Sequence, residues 1–379
     1  MAASGRLDPV DLKVYLGAAE AWLMGEPMYG VPFGLSSGYF KYAPLAAVAF
    51  VPYALIGWSG AVALHAAFII AALAWGAPRY LSCVAGIWQS ASAEFNWRSL
   101  KPWLILLAWL ALFSPHIVRE LMLGNVNLLA LTAAVTAALG LTSGRLQPLA
   151  VGLLMAVLLC FKPHFAVLPV LWLWQGRWRT VLWTAAGLVA CLALPWALSS
   201  HADFSPAQWL QAMLAHNAGS AGLNNTIQGL VARLTGWPIR SAWLLSWGAL
   251  ATAAALWIGR PFNPSAGRDP RREHLQWAVA LAFIPSMLAT DTEHFLFSAP
   301  LLAIMLMLAL SHNSSRSKDR WAPWMWLLLA ASWLPFGLAS TDFWGHELGA
   351  WFLRSGPLGL ANLALIALSI FAAERHLQS

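Results

Sequence analysis

A helical bundle that crosses a membrane many times is the fold class this sequence predicts, and three observations carry it. Of the 379 residues, 60% are hydrophobic and only 10% charged, against about 25% charged in a soluble globular chain. Apolar runs recur between short polar breaks, and a hydrocarbon core about 30 Å thick takes roughly 20 such residues per crossing helix. The third observation is an excess of tryptophan, 24 residues in all. Trp58, Trp97, Trp103, Trp178, Trp196, Trp237, Trp321 and Trp351 stand at the ends of apolar runs, where amphipathic rings anchor in the headgroup layer. No linker rich in Gly, Ser or Pro separates two soluble parts. Residues 1–379 therefore read as one all-α transmembrane domain, with 1–43 as an outer juxtamembrane segment and 200–237 as an outer loop.

Taking the polar breaks as loops places spans near 44–75, 102–115, 123–142, 146–161, 164–176, 180–199, 238–258, 275–290, 294–311, 321–339 and 352–372, eleven crossings in all. Pro52 and Gly57 interrupt the first, which reads either as one kinked crossing or as a re-entrant piece followed by a crossing. Orientation follows from the basic residues, which are retained on the cytoplasmic side. Alternate loops carry Arg79, Arg98 and Lys101, then Arg145, Arg177 and Arg179, Arg260, Arg268, Arg271 and Arg272, Arg316, Lys318 and Arg320, and Arg375. That side holds fourteen basic and five acidic residues, the other eight basic and ten acidic. The net charge of +7 is thus a topology signal and gives no reason to expect a nucleic-acid partner. Cys83, Cys160 and Cys191 lie in or beside apolar runs without CxxC spacing and read as packing residues.

The assignment puts residues 1–43 and the segments near 116–122, 162–164, 200–237, 290–293 and 340–351 outside. Within residues 8–24, Asp8 reads as an N-cap, with Pro9 and Asp11 in the first turn. Leu12, Tyr15, Leu16, Ala19 and Leu23 share one face, which predicts a short amphipathic helix lying on the membrane. Asp11 there is either a favourable first-turn charge or a functional carboxylate. Lys41, Arg119 and Lys162 run against the charge bias. Ionisable groups at membrane depth face a cavity or a partner, and a lipid-linked phosphate would suit several cations on the outer side. Snorkelling to the interface is the simpler account of each cation alone. His116, Arg119 and Glu120 precede Gly124, Asn125 and Asn127 at a helix start, where asparagine caps the helix or binds hydroxyl-rich ligands. Asn224 and Asn225 open an amphipathic stretch of the long outer loop. Asp291, Glu293 and His294 stand at another outer helix boundary, as helix caps or as proton-transfer groups.

The order of these pieces resembles glycosyltransferase family 87, the polyprenol-phosphate-mannose-dependent mannosyltransferases. The segments that carry the resemblance are DLKVY at Asp11 to Tyr15, FKYAPL at Phe40 to Leu45, GNVN at Gly124 to Asn127 and FKPHF at Phe161 to Phe165. RWR at Arg177 to Arg179, NNTIQGL at Asn224 to Leu230 and EHF at Glu293 to Phe295 complete the series. Each motif is weak alone, and seven in order between compatible spans make the likeness. Asn125 and Asn225 stand where the family usually has glutamine, and Ala289 to Thr292 replace a Ser-Pro-x-Ser-Trp stretch. The resemblance implies the C-type glycosyltransferase fold in the bacterial inner membrane, with its site facing the periplasm. It also implies hexose transfer, mannose by default, from a polyprenyl-phosphate donor to a lipid or glycan acceptor with inversion.

On this reading Asp11 is the base, with His294 assisting or orienting the acceptor. Lys41, Arg119, Lys162 and His164 meet the donor phosphate, and Tyr15, Tyr42, Glu120, Asn125, Asn127, Asn224, Asn225 and Glu293 contact substrate. No metal-ligand spacing is visible, so neither a metal nor another cofactor is expected. The rival class is a transporter or flippase of lipid-linked glycans, which commonly shows internal repeats; none is seen here. A purely structural membrane subunit has no need of acid, base and cations gathered on one side. Residues 1–43 carry no apolar stretch able to export them, and family members place a span just before the Asp-x-x-Val-Tyr motif. One further helix upstream of Met1 is therefore expected, for a total of twelve; the alternative is that the first visible span carries residues 1–43 across, since only Arg6 and Lys13 precede Lys41.

Overall fold

The computed structural model describes residues 9–34, 38–88, 100–199, 204–218, 225–236, 269–287, 292–314, 323–338, 345, 347–349, 351 and 355–378. Among them the chain is helical and holds no β-strand, apart from one isolated bridge between Pro32 and Tyr39. Among the described residues four helices are long and apolar enough to cross a membrane, over Gly57–Trp88, Pro102–Leu123, Trp178–Ser199 and Pro357–Arg375. Six shorter apolar helices accompany them. The chain divides into two compact units: Met1–Ala77 with Ile117–Ser220, and Pro78–His116 with Ala221–Ser379. The expected span at 238–258 lies outside the described residues.

The first unit opens with α1 (Val10–Met24), which starts at Pro9 with no side-chain cap and ends at Gly25 in a left-handed conformation. Asp8, the expected cap, lies outside the described residues. The membrane-surface helix expected here is corrected. Leu12, Val14, Tyr15, Leu16, Ala18, Ala19 and Ala21 are all buried, so α1 is enclosed around most of its circumference, while Leu23 is exposed. Its covering is aromatic: Tyr15 stacks on Phe50 at 4.6 Å, and Phe40, Tyr42 and Phe204 join the same cluster.

The first expected span is divided at Gly57, one of the two interruptions the sequence marked: Ile56 and Gly57 (φ 73°) separate α2 (Pro44–Leu55) from α3 (Gly57–Trp88). At 1.5 Å per residue, α2 reaches only about 18 Å and cannot cross alone. The span expected at 102–115 continues through Pro115 as α4 (Leu100–Leu123). His116, Arg119 and Glu120 are accordingly helical, not in a loop.

After α5 (Asn127–Thr142), the unit is completed by α6 (Pro148–Phe161), a 3-10 turn (Pro163–Ala166), α7 (Val167–Trp174), α8 (Trp178–Ser199) and α9 (Pro206–Ala218). Small residues bring α6 and α8 together: a Cβ on Gly152 would meet the Thr180 carbonyl oxygen at 2.9 Å, and one on Gly187 would meet the Ala156 Cβ at 2.8 Å. With lipid as solvent there is little hydrophobic gain between helices, and such close backbone approach supplies dispersion contact instead. The opposite side of α8 exposes Trp178, Leu182, Val189 and Trp196, as a lipid-facing surface requires.

The second unit, considered alone, contains α10 (Ile227–Thr235), α11 (Pro270–Met287), a 3-10 turn (Thr292–Ser298), α12 (Ala299–Ser314), α13 (Pro323–Leu338) and α14 (Pro357–Gln378). Buried polar groups pin it. Asn362 donates to Ala282 O at 2.8 Å and to Ser286 Oγ at 2.7 Å, while accepting from Ser298 Oγ. Towards one end, His274 accepts from Trp88 Nε1 at 3.1 Å and pairs with the Tyr80 hydroxyl at 3.0 Å, which itself donates to Pro300 O. With Nδ1 accepting, the His274 proton sits on Nε2, so the imidazole is held as one neutral tautomer.

Candidate functional site

The polar groups of the first unit converge on the break between α4 and α5. Gly124 adopts φ 66°, and both its amide and that of Asn125 bond to Glu120 O at the end of α4. A Cβ on Gly124 would lie 2.8 Å from the Cβ atoms of both Pro9 and Leu12. Only glycine tolerates this left-handed conformation and close approach together, and that approach sets the first turn of α1 against the break. The G124A variant is therefore expected to lose about 2–4 kcal/mol from overpacking and left-handed strain. A lower midpoint in detergent thermal denaturation checks this; an unchanged midpoint would show that α1 can shift freely.

Asn125, only 5% exposed, is the hub. Its Nδ2 donates to Asp11 Oδ2 at 2.7 Å. Its Oδ1 accepts from Lys162 Nζ at 3.1 Å, from the Tyr15 hydroxyl at 3.2 Å and from Val126 N at 2.7 Å. The Tyr15 hydroxyl has one proton and two acceptors within reach, the Tyr42 hydroxyl at 3.1 Å and Asn125 Oδ1 at 3.2 Å. Burial first, then Tyr42 and Asp11, raise the Tyr15 phenol well above its ordinary value, so it remains a donor at neutral pH. Lys162, 4% exposed, also lies over the Tyr42 ring at 5.3 Å and gains cation–π attraction there. Asp11 is only partly buried.

Glu120 is fully buried and supplies the cap of α5: its two oxygens accept from Asn127 Nδ2 at 3.0 Å and from Leu128 N at 2.9 Å. An anion at a helix N-terminus is favourable. Capping was one reading of the asparagines, and the carboxylate performs it instead. Asn127 Oδ1 remains buried without a hydrogen-bond partner among the described residues.

Of the remaining expected cations, Lys41 is half-buried, with its carbonyl accepting from Trp209 Nε1 at 3.2 Å. Arg119 is exposed on α4, and His164 occupies the 3-10 turn after Lys162. None of these three bonds to Asn125. Asn225, Glu293 and His294 belong to the second unit, where Asn225 Oδ1 accepts from Gly359 N at 3.2 Å and both Glu293 and His294 are buried. Asn224 and Asp291 lie outside the described residues. Among the described residues no group of three or more His, Cys, Asp or Glu side chains could hold a metal ion.

Two residues escaped the sequence reading. His65, 2% exposed on α3, contacts Asn125 O through Nε2 at 2.9 Å. With a carbonyl as partner, Nε2 carries the proton; Nδ1 is buried without a partner among the described residues. A lone histidine inside an apolar run was the available signal. Gln228, in the second unit, donates to Met287 O at 2.8 Å and leaves Oε1 buried without a partner among the described residues; its place within the NNTIQGL motif was the signal.

Comparison with known proteins matches residues 40–290 to Glycosyltransferase family 87. A polyprenol-phosphate-mannose-dependent alpha-(1-2)-phosphatidylinositol mannoside mannosyltransferase of Mycobacterium tuberculosis is 26% identical over 66% of this chain. The chain spans 60% of that relative's length. A protein of the same name from Mycolicibacterium smegmatis is 25% identical over 80% of this chain and 71% of its own length. No solved structure matches.

Proposed function

The chain belongs to glycosyltransferase family 87, and from that premise we propose that it transfers a hexosyl group, mannose by preference, from a polyprenyl-phosphate donor to a hydroxyl of a lipid or glycan acceptor. The observation that carries this reading is the bridging of a carboxylate and a buried ammonium by one amide, Asp11 to Asn125 to Lys162. The acceptor oxygen attacks the anomeric carbon as the bond from that carbon to the phosphate oxygen breaks. Asp11 takes the hydroxyl proton. The polyprenyl phosphate leaves with the bonding electrons, and the ammonium of Lys162 stabilises the charge it gains. In-line displacement inverts the anomeric centre.

Lys41, Arg119 and His164 are proposed as further donor-side groups, and Asn127 Oδ1 as an acceptor for a sugar hydroxyl. For the second unit the reading keeps His294 as a proton-transfer group. The charge bias of the loops supports a bacterial inner-membrane protein with its site on the periplasmic side, and the names of the relatives support mannose and a glycolipid acceptor.

The test is reconstitution in proteoliposomes with labelled mannosyl polyprenyl phosphate and a mannosylated phosphatidylinositol. A new glycosidic product of inverted configuration is expected. Movement of labelled donor between leaflets without a new bond would identify a flippase and overturn the proposal.

A further inference from the structure

We infer that Asn125 touches neither donor nor acceptor and is instead the positioning residue that holds Asp11 and Lys162 in register. The inference rests on the transfer reading and moves Asn125 out of the substrate-contacting set expected from sequence. A carbonyl oxygen offers two lone pairs, and those of Asn125 Oδ1 are taken by Val126 N at 2.7 Å and Lys162 Nζ at 3.1 Å, with the Tyr15 hydroxyl close by at 3.2 Å. On its other end, Nδ2 is directed at Asp11 Oδ2. The amide orientation is therefore forced, because the flipped amide would point its NH2 at an ammonium and a backbone N–H. The backbone is equally committed: Asn125 O meets His65 Nε2, and Asn125 N bonds to Glu120 O. Asparagine suits the task because one rigid planar group presents a donor to the carboxylate and an acceptor to the cation. Near-attack geometry is sensitive to displacements of about 1 Å, so a spacer that fixes both groups at once acts on the reaction without entering it.

A carboxylate substituted here tests this directly. In N125D the introduced group faces Asp11 and Tyr15 from α1, Tyr42 before α2, His65 from α3, Glu120 from α4 and Lys162 after α6. Protonated, it reproduces the amide, giving a donor to Asp11 and an acceptor to Lys162. Ionised, it repels Asp11. Like-charged carboxylates sharing a site retain a proton to higher pH. The kcat of N125D relative to the parent is therefore expected to be down about 100-fold at pH 8 and to recover to within about 10-fold at pH 5.5. N125A, with no group to titrate, is expected to lose kcat by a similar factor at both pH values, with donor and acceptor KM within about threefold of the parent.

Thermal midpoints give a reading independent of turnover. The folded state of N125D binds an extra proton, so its midpoint relative to the parent should fall as pH rises from 5.5 to 8. Parental kcat in N125A, a raised donor or acceptor KM with kcat unchanged, or a pH-independent N125D defect would each overturn the inference. If N125D fails to fold, the kcat and KM of N125A decide. If the parent itself makes no glycosidic product, the transfer reading fails and the midpoint shift alone judges the positioning of Asp11.

Discussion

The D11N variant is expected to lose sugar transfer by about 1,000-fold or more in kcat, because general-base assistance contributes roughly 10²–10⁴ and an amide takes up no proton at neutral pH. The substitution is nearly isosteric, and an amide oxygen can still accept from Asn125 Nδ2, which now approaches at 2.7 Å. What is lost structurally is the charge: about 1 kcal/mol for the charge-assisted part of that bond and a few tenths to about 1 kcal/mol for a first-turn carboxylate. The thermal midpoint should therefore move by only a few degrees while turnover collapses, and donor binding should survive. Labelled transfer in proteoliposomes measured beside detergent thermal denaturation checks both halves. Full activity in the purified variant would remove Asp11 from the chemistry.

The second large effect belongs to Lys162. K162M keeps most of the side-chain volume but removes the charge that lies beside Asn125 Oδ1 and over the Tyr42 ring. If that ammonium stabilises the departing phosphate, kcat/KM for the donor should fall about 10²–10³-fold, the scale on which a single charge-stabilising donor acts. The donor KM should rise while the acceptor KM stays close to the parental value, since the cation serves the leaving group. K162A should be worse than K162M, because it also leaves a void in a buried site. Varying donor and acceptor separately in the same assay distinguishes these effects. A rise confined to the acceptor constant would move Lys162 to the acceptor side.

Much of this was legible in sequence order. Asp11, Tyr15, Tyr42, Asn125 and Lys162 were each singled out from charge, motif or helix-start position, and the structure joins these five in one hydrogen-bonded group. The group itself was not legible. Asp11 and Asn125 are 114 positions apart, and Asn125 and Lys162 are 37 apart; no local pattern records which amide meets which carboxylate. His65 was missed because its segment reads as apolar throughout, and a single imidazole there looks like packing until its partner, a carbonyl exposed by the break after α4, is seen.

The sequence by itself determined that the chain is helical, apolar and of a kind suited to a membrane, because the bilayer imposes its demand on every segment separately: apolar length, internal backbone hydrogen bonds and aromatic ends. It also marked Asp11 and Lys162 as charges needing an explanation. Only the tertiary structure decided that α1 is enclosed instead of lying on a surface, that Glu120 caps α5, and that Asn125 stands between the carboxylate and the ammonium. These depend on which helices pack together, and on Gly124 allowing α1 to approach the α4–α5 break. Hydrogen-bond partnership in a bundle is a property of that packing, whereas hydropathy is a property of each segment alone.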